Sequence, residues 1–207
     1  MSATLIYCYD PMCSWCWGFK PTWQALQKAL EPIIESGDLY INTMLGGLAV
    51  DSDAPMPPQM QTLLQGTWER IASQLGTKFN FDFWTQCQPR RSTYPACRAC
   101  LVARDHNLES DMMSAIQEAY YLNAQNPSDV ETLSHCAEHI GLNPMQFKKA
   151  MQHTKEQGLL EKEVNSARSL GLNSFPSLAV LKGDKLVHIP LDYEDITSML
   201  NDIKAVI

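Results

Sequence analysis

Two cysteines one helical turn apart, Cys13 and Cys16, carry the first chemistry in the chain. They follow a short apolar stretch rich in β-formers, Leu5–Tyr9, and a break at Asp10-Pro11, and they open a segment with helical spacing. That setting gives a CxxC motif a use. Unpaired N–H groups and the dipole at a helix N-terminus stabilise a thiolate on the first Cys. The thiolate attacks a disulfide sulfur to give a mixed disulfide, and a second thiol one turn on resolves it. Cys13 is therefore expected to be the exposed nucleophile and Cys16 the more buried resolving thiol. The competing reading is half of a structural zinc site, which needs four ligands, with Cys97 and Cys100 as the other half. The strand–CxxC–helix order favours redox chemistry over metal.

The elements that must position this pair can be read from spacing. Trp23, Leu26, Ala29, Leu30 and Ile33 give residues 17–35 an apolar helical face. Pro21 is expected to bend this helix, and Pro32 to kink it or end its regular part. After a turn at Ser36-Gly37-Asp38, residues 39–45 read as a strand, so the opening is strand–helix–strand, a parallel pair with a right-handed crossover. Gly46-Gly47 and the prolines up to Pro58 mark an irregular connection. From there to Gly171 the pattern is helical, in segments near 59–75, 93–106, 110–123, 128–140, 144–152 and 157–170. Ser128 with Glu131 is predicted to form a capping box, and Asn143-Pro144 to open another helix. Residues 177–181 and 185–189 flank a Lys182-Gly183-Asp184 turn as a hairpin, and Tyr193–Val206 reads as a last helix. The fold class is α/β: a mixed four-stranded sheet flanked by helices, with an all-α insertion. Residues 1–55 and 172–207 make the discontinuous sheet domain, and 56–171 the insertion.

Composition narrows the function. The chain has 207 residues, 45% hydrophobic and 19% charged, with a net charge of −7. These are the values of a globular protein long enough for one large domain or a small one with an insertion. An acidic chain with scattered Lys and Arg lacks the basic patch that nucleic acid or an anionic membrane requires. No apolar run is long enough to span a bilayer. Seven cysteines, an odd number, and an N-terminus without a basic region, apolar core or cleavage site argue against secretion and a disulfide framework. The expected compartment is the cytoplasm. A monomer and a homodimer through the helical block are both compatible with the sequence.

The chain resembles the thioredoxin superfamily, and within it the DsbA-like branch with a helical insertion, of the FrnE-like cytoplasmic kind. The carrying residues are Asp10-Pro11-Met12-Cys13-Ser14-Trp15-Cys16-Trp17-Gly18-Phe19, Leu45-Gly46-Gly47-Leu48, and Ser174-Phe175-Pro176-Ser177-Leu178. The resemblance implies a thiol–disulfide oxidoreductase or isomerase acting on protein or peptide thiols and disulfides. It implies a cis bond before Pro176, facing the CxxC, with Phe175 offering backbone groups to an extended substrate. Ser14 and Trp15, between the sulfurs, are then expected to touch substrate. No cofactor or metal is called for; glutathione is a candidate co-substrate. Two departures matter. Thioredoxins carry a buried acid six residues before the first Cys, where this chain has Tyr7, and Ser14-Trp15 lacks the His of strongly oxidising DsbA proteins. Asp10 lies nearer the motif, with a turn or cap role the equal alternative.

Several other residues have two readings. Cys97 and Cys100 sit on one face of a helix and are a candidate second redox pair; two small packed residues is the favoured reading. Cys8 and Cys136 are expected to be buried and inert, and Cys87 exposed and oxidisable. Arg90-Arg91 is a candidate site for an anion such as a glutathione carboxylate, against an ordinary solvated pair. Trp15, Trp17, Phe19 and Trp23 surround the CxxC, and Trp68, Phe79, Phe81, Phe83 and Trp84 should pack the insertion. His135 and His139 flank Glu138 in the wrong order for a zinc protease helix. Two further readings compete with a dithiol enzyme. One is a glutathione-dependent transferase or isomerase, similar to kappa-class transferases and hydroxychromene-carboxylate isomerases, which use Ser near the position of Cys13. The other is a binding module without turnover.

Overall fold

The computed structural model describes residues 2–207. Strand β1 (Ala3–Tyr9) leads into helix α1 (Ser14–Glu35) and strand β2 (Leu39–Leu45). Seven helices follow: α2 (Pro58–Leu75), α3 (Phe83–Gln86), α4 (Tyr94–Arg104), α5 (Glu109–Tyr121), α6 (Val130–His139), α7 (Pro144–Glu156) and α8 (Leu159–Ser169). The chain closes with strands β3 (Ser177–Lys182) and β4 (Lys185–Ile189) and helix α9 (Thr197–Val206). The four strands form one mixed sheet in the order β2-β1-β3-β4. β1 pairs parallel with β2 and antiparallel with β3, and β3 pairs antiparallel with β4.

Alternation along β1 decides which helices cover which face. Leu5, Tyr7 and Tyr9 join an apolar cluster with Phe19, Leu26 and Leu30 of α1, Met199 and Ile203 of α9, and helical residues such as Trp68 and Ile116. Ile6 and Cys8 point the other way, to Met44, Ala179, Ala167 of α8 and Leu172. The larger cluster is continuous, so the sheet and the helices between β2 and β3 share one core. Tyr121 of α5 ties the two parts directly. Its hydroxyl donates to the Met12 carbonyl at 2.7 Å, and its ring stacks on Trp17 at 5.6 Å.

Three local expectations need correction. The first helix begins at Ser14, not at residue 17, with Cys13 as its N-cap; the Trp17 N–H already bonds the Cys13 carbonyl at 3.1 Å. Pro21 and Pro32 both lie inside it, and it runs past Pro32 to Glu35. The Ser128–Glu131 capping box does not form. The Ser128 hydroxyl donates to the Ser92 carbonyl at 2.7 Å, Glu131 takes Lys148, and Asp129 stands at the N-cap, its carboxylate paired with Arg90. Long-range partners outcompete the local cap there. The last helix starts at Thr197, because Asp192 accepts the Glu194 and Asp195 N–H groups and locks residues 192–195 into an Asx turn. Two elements follow their local signals. Gly183-Asp184 makes the hairpin turn, with Gly183 at φ +58°. Asn143 caps α7, its Oδ1 accepting from the Met145 and Gln146 N–H groups, each at 3.1 Å. Asn143→Ala should cost about 1 kcal/mol of stability in a denaturant melt, the usual worth of a cap.

Candidate active site

The site is built where β1 ends. Asp10 breaks the strand, and its backbone carbonyl accepts the Cys13 N–H at 3.0 Å. This turn delivers Cys13 to the N-cap of α1 with extended backbone, φ −79° and ψ 117°, so the helix N–H groups lie just beyond the sulfur. Cys13 is 7% exposed and Cys16 is fully covered. The order of access is as expected, but Cys13 is no open surface thiol: it lines the end of a cleft. Burial, and then the hydrogen bond to the Cys13 sulfur, push the Cys16 thiol well above its ordinary range. Asp10 acts both ways, its backbone lowering the thiol and its charge raising it. Cys16 is thus held as a thiol.

Opposite Cys13 stands the segment entering β3. The Phe175–Pro176 peptide is cis, and the Phe175 carbonyl accepts from the Cys13 thiol at 3.3 Å. The position of Phe175 depends on Gly46. The Gly46 N–H donates to Tyr9 at 2.8 Å, and the preceding Leu45 N–H donates to Glu163 at 2.6 Å, which fix the end of β2. A β-carbon at Gly46 would enter the Phe175 ring. The neighbouring Gly47 is at φ +60°, and a β-carbon there would come within 2.6 Å of Val164 and 2.8 Å of Tyr94. Gly46→Ala should displace Phe175 and its carbonyl, and lower disulfide-exchange kcat/KM by on the order of 10²-fold, the scale of a misplaced reacting geometry. Stopped-flow exchange with a peptide disulfide would measure it.

Two depressions meet at Trp15, Ser174 and Phe175, beside Cys13. The first, about 330 Å³, is lined by Cys13, Ser14, Leu48 and Phe175, and by Arg70, Arg90 and Arg91 from the helical part. The Arg70 guanidinium lies over the Trp15 ring at 5.4 Å, and Arg90 pairs with Asp129. Among the described residues, neither Arg70 nor Arg91 forms an ion pair. The second, about 590 Å³, is a groove beside Pro176 with Trp15, Leu191 and Tyr193 on its walls. Trp15 meets Tyr193 edge to face at 5.2 Å. Trp15 is therefore half-buried between the two, whereas Phe19 and Trp23 are core and Trp17 docks the helical part.

Tyr7 occupies the place of the thioredoxin acid. It is buried, stacked on Trp23 at 4.4 Å, and burial, then the Cys16 and Cys13 sulfurs, push its phenol above its ordinary range. The buried carboxyl near the motif is Asp10, for which the sequence leaves a role at the motif and a turn or cap role both open. Cys97 and Cys100, on the first turns of α4, are fully covered, and burial pushes both thiols well up. Cys8 and Cys136 are buried, with Cys8 pushed up to about 12 and Cys136 to about 11 by burial first. Cys87 is half-buried, its thiol donating to the Ala124 carbonyl at 3.0 Å. All seven cysteines are free. Among the described residues, no three His, Cys, Asp or Glu side chains converge as metal ligands. Arg70 carries no signal in the sequence, and Gly46 only that of the Leu45-Gly46-Gly47-Leu48 motif.

A CxxC at the head of a helix, faced by an X-Pro turn ahead of the third strand of a four-stranded mixed sheet, defines a thioredoxin-like fold. More narrowly, the chain belongs to the DSBA-like thioredoxin domain family, whose model matches residues 4–200. Solved structures agree in fold. A putative protein disulfide isomerase from Nitrosomonas europaea has a TM-score of 0.82 at 24% identity, over 100% of this chain and 97% of its own. The cytosolic disulfide reductase DsbM from Pseudomonas aeruginosa has a TM-score of 0.73 at 24% identity, covering 98% and 96%. That reductase has also been solved with GSH, in a form similar at a TM-score of 0.71 and 23% identity over 98% and 96% of the two chains. A curated relative, the ClpXP adapter protein SpxH of Halalkalibacterium halodurans, is 23% identical over 81% of this chain. The chain spans 55% of that relative's length.

Proposed function

We propose that the protein is a thiol–disulfide oxidoreductase or isomerase of the cytoplasm, with Cys13 as nucleophile and Cys16 as resolving thiol. The observation that carries this is the arrangement of the pair: Cys13 at the N-cap of α1 and open to a cleft, Cys16 covered in the first turn. The Cys13 thiolate attacks one sulfur of a substrate disulfide, and the other sulfur leaves and takes up a proton. Cys16 then loses its proton and attacks the Cys13 sulfur. The substrate thiol is released, and the Cys13–Cys16 disulfide holds the two-electron oxidation. The reverse sequence oxidises a dithiol, and stopping at the mixed disulfide with a second substrate thiol gives isomerisation.

An extended peptide fits beside Phe175 and Pro176, with side chains falling into the groove of Trp15, Leu191 and Tyr193. Glutathione is the reductant the site favours. Arg70, Arg90 and Arg91 gather positive charge in the cleft that ends at Cys13, where a tripeptide with two carboxylates can place its thiol. The GSH-containing structure of the Pseudomonas reductase supports that reading. Two glutathione molecules would reduce the Cys13–Cys16 disulfide and leave as glutathione disulfide. No helix among the described residues is long and apolar enough to cross a membrane.

A glutathione redox titration with mass mapping of the paired cysteines tests the proposal. A reversible Cys13–Cys16 disulfide is the expected result, and its midpoint gives the direction of electron flow. Its absence at every potential would overturn the dithiol mechanism. Glutathione transfer to an electrophile without cysteine oxidation would then point to the transferase or isomerase alternative.

A further inference from the structure

Asp10 is more than a turn residue. Its side chain is fully covered, and its oxygens collect four donors. Oδ1 accepts the Met12 N–H at 2.8 Å, the short-range bond of an Asx turn. Oδ2 accepts the Leu48 N–H at 2.7 Å, the Thr93 hydroxyl at 2.6 Å and the Cys97 thiol at 3.3 Å. A surface turn would need only the first of these. A carboxyl taken out of water is costly unless its lone pairs are satisfied, and here the loop after β2 and the start of α4 satisfy them. Among the described residues no cation pairs with it. Burial pushes the carboxyl up and the four donors oppose that.

What these donors join is the cleft. Met12, Leu48 and Thr93 all line it together with Cys13. Thr93 extends the connection, since its hydroxyl accepts the Ala49 N–H at 3.0 Å. Asp10 thus fastens the residue before the nucleophile to the two segments forming the facing wall. Cys97 has the geometry of a donor in this arrangement: fully covered and 3.3 Å from a carboxyl oxygen.

Building on the dithiol reading above, we propose that Asp10 is a positioning residue that sets the cleft wall against Cys13 for peptide substrates, and that Cys97 serves it as a hydrogen-bond donor. Cys97 takes no part in electron transfer on this view. The hydrogen bond, not the sulfur, is what matters.

The test uses the full chain, with glutathione as reductant and two substrates. Insulin must fill the cleft, whereas hydroxyethyl disulfide need only reach Cys13. Asp10→Asn and Cys97→Ala should raise KM for insulin by about five- to tenfold and change kcat/KM for hydroxyethyl disulfide less than about twofold, as lost hydrogen bonds in a binding wall do. Cys97→Ser keeps a donor and should restore the KM. Asn143→Ala, a distant destabilising change, should leave KM alone. Equal damage from Cys97→Ser and Cys97→Ala would overturn the donor role and point to thiol chemistry. A wild-type KM for insulin in Asp10→Asn, or equal losses on both substrates, would overturn the positioning role. If Asp10→Asn does not fold, the two Cys97 variants decide. Failure of the dithiol reading has a separate signature: Cys13→Ser would turn over like the wild type.

Discussion

A Cys16→Ser variant is expected to stop after the first exchange and accumulate as a mixed disulfide on Cys13. Cys13 keeps its place at the N-cap of α1 and its neighbour, the Phe175 carbonyl at 3.3 Å, so attack on a substrate disulfide still proceeds. The resolving sulfur is gone, and the serine hydroxyl, with no accessible anion at neutral pH, cannot replace it. Steady-state reduction of a peptide disulfide should fall by on the order of 10⁴-fold, the scale on which loss of a reacting group is felt. Intact-mass measurement after incubation with cell extract should show captured partners on Cys13 and nowhere else. Cys13→Ser, by contrast, should capture nothing: burial, the largest cause of its raised pKa, still leaves Cys16 a covered thiol. Capture on Cys16 or on Cys97 would contradict the assignment of the nucleophile. Iodoacetamide at neutral pH gives an independent check, since it should label Cys13 long before Cys16 or the covered Cys97 and Cys100.

The second large effect lies in the helical part. Trp68 is 1% exposed, and its ring meets Phe79 stacked at 5.0 Å, Tyr121 edge-on at 5.3 Å and Tyr120 edge-on at 5.4 Å. It also lines the cleft at Cys13. Trp68→Ala empties the centre of this aromatic group and should cost about 3–5 kcal/mol, lowering Tm by on the order of 10 °C for a chain of this size. The consequence reaches the site because Tyr121 bonds the Met12 carbonyl and stacks on Trp17. The residual activity of the folded fraction should therefore show a raised KM for peptide disulfides. Trp68→Phe, which keeps an aromatic plug, should recover most of the stability. A melt unchanged by Trp68→Ala would contradict the shared core that joins the sheet to the helices.

Both variants act where local and long-range information meet. The candidate pair was legible because its signal is local: a strand, a break, two cysteines one turn apart and a helix. The element order was legible for the same reason, through period-two and helical spacing punctuated by Gly, Pro and Asn. The Asn143 cap formed because its donors are two and three residues away. Ser128 did not cap, because Ser92, brought in by the fold, offered its hydroxyl a better partner. Residues 193–196 did not become helix, because Asp192 found nearby backbone donors first.

The sequence by itself determined the class of chemistry, the α/β order with helices between the second and third strands, and which sulfur is reached first. Only the tertiary structure decided what surrounds that sulfur. It brings Arg70 from α2 to the Arg90-Arg91 segment, sets Gly46 under the Phe175 ring, and gathers donors from Leu48, Thr93 and Cys97 on Asp10. The physical reason is range. A helix or turn is stabilised by bonds among neighbours in the chain, and residue types report it. A cleft wall is stabilised by packing between segments far apart in the chain, and only folding brings those segments into contact.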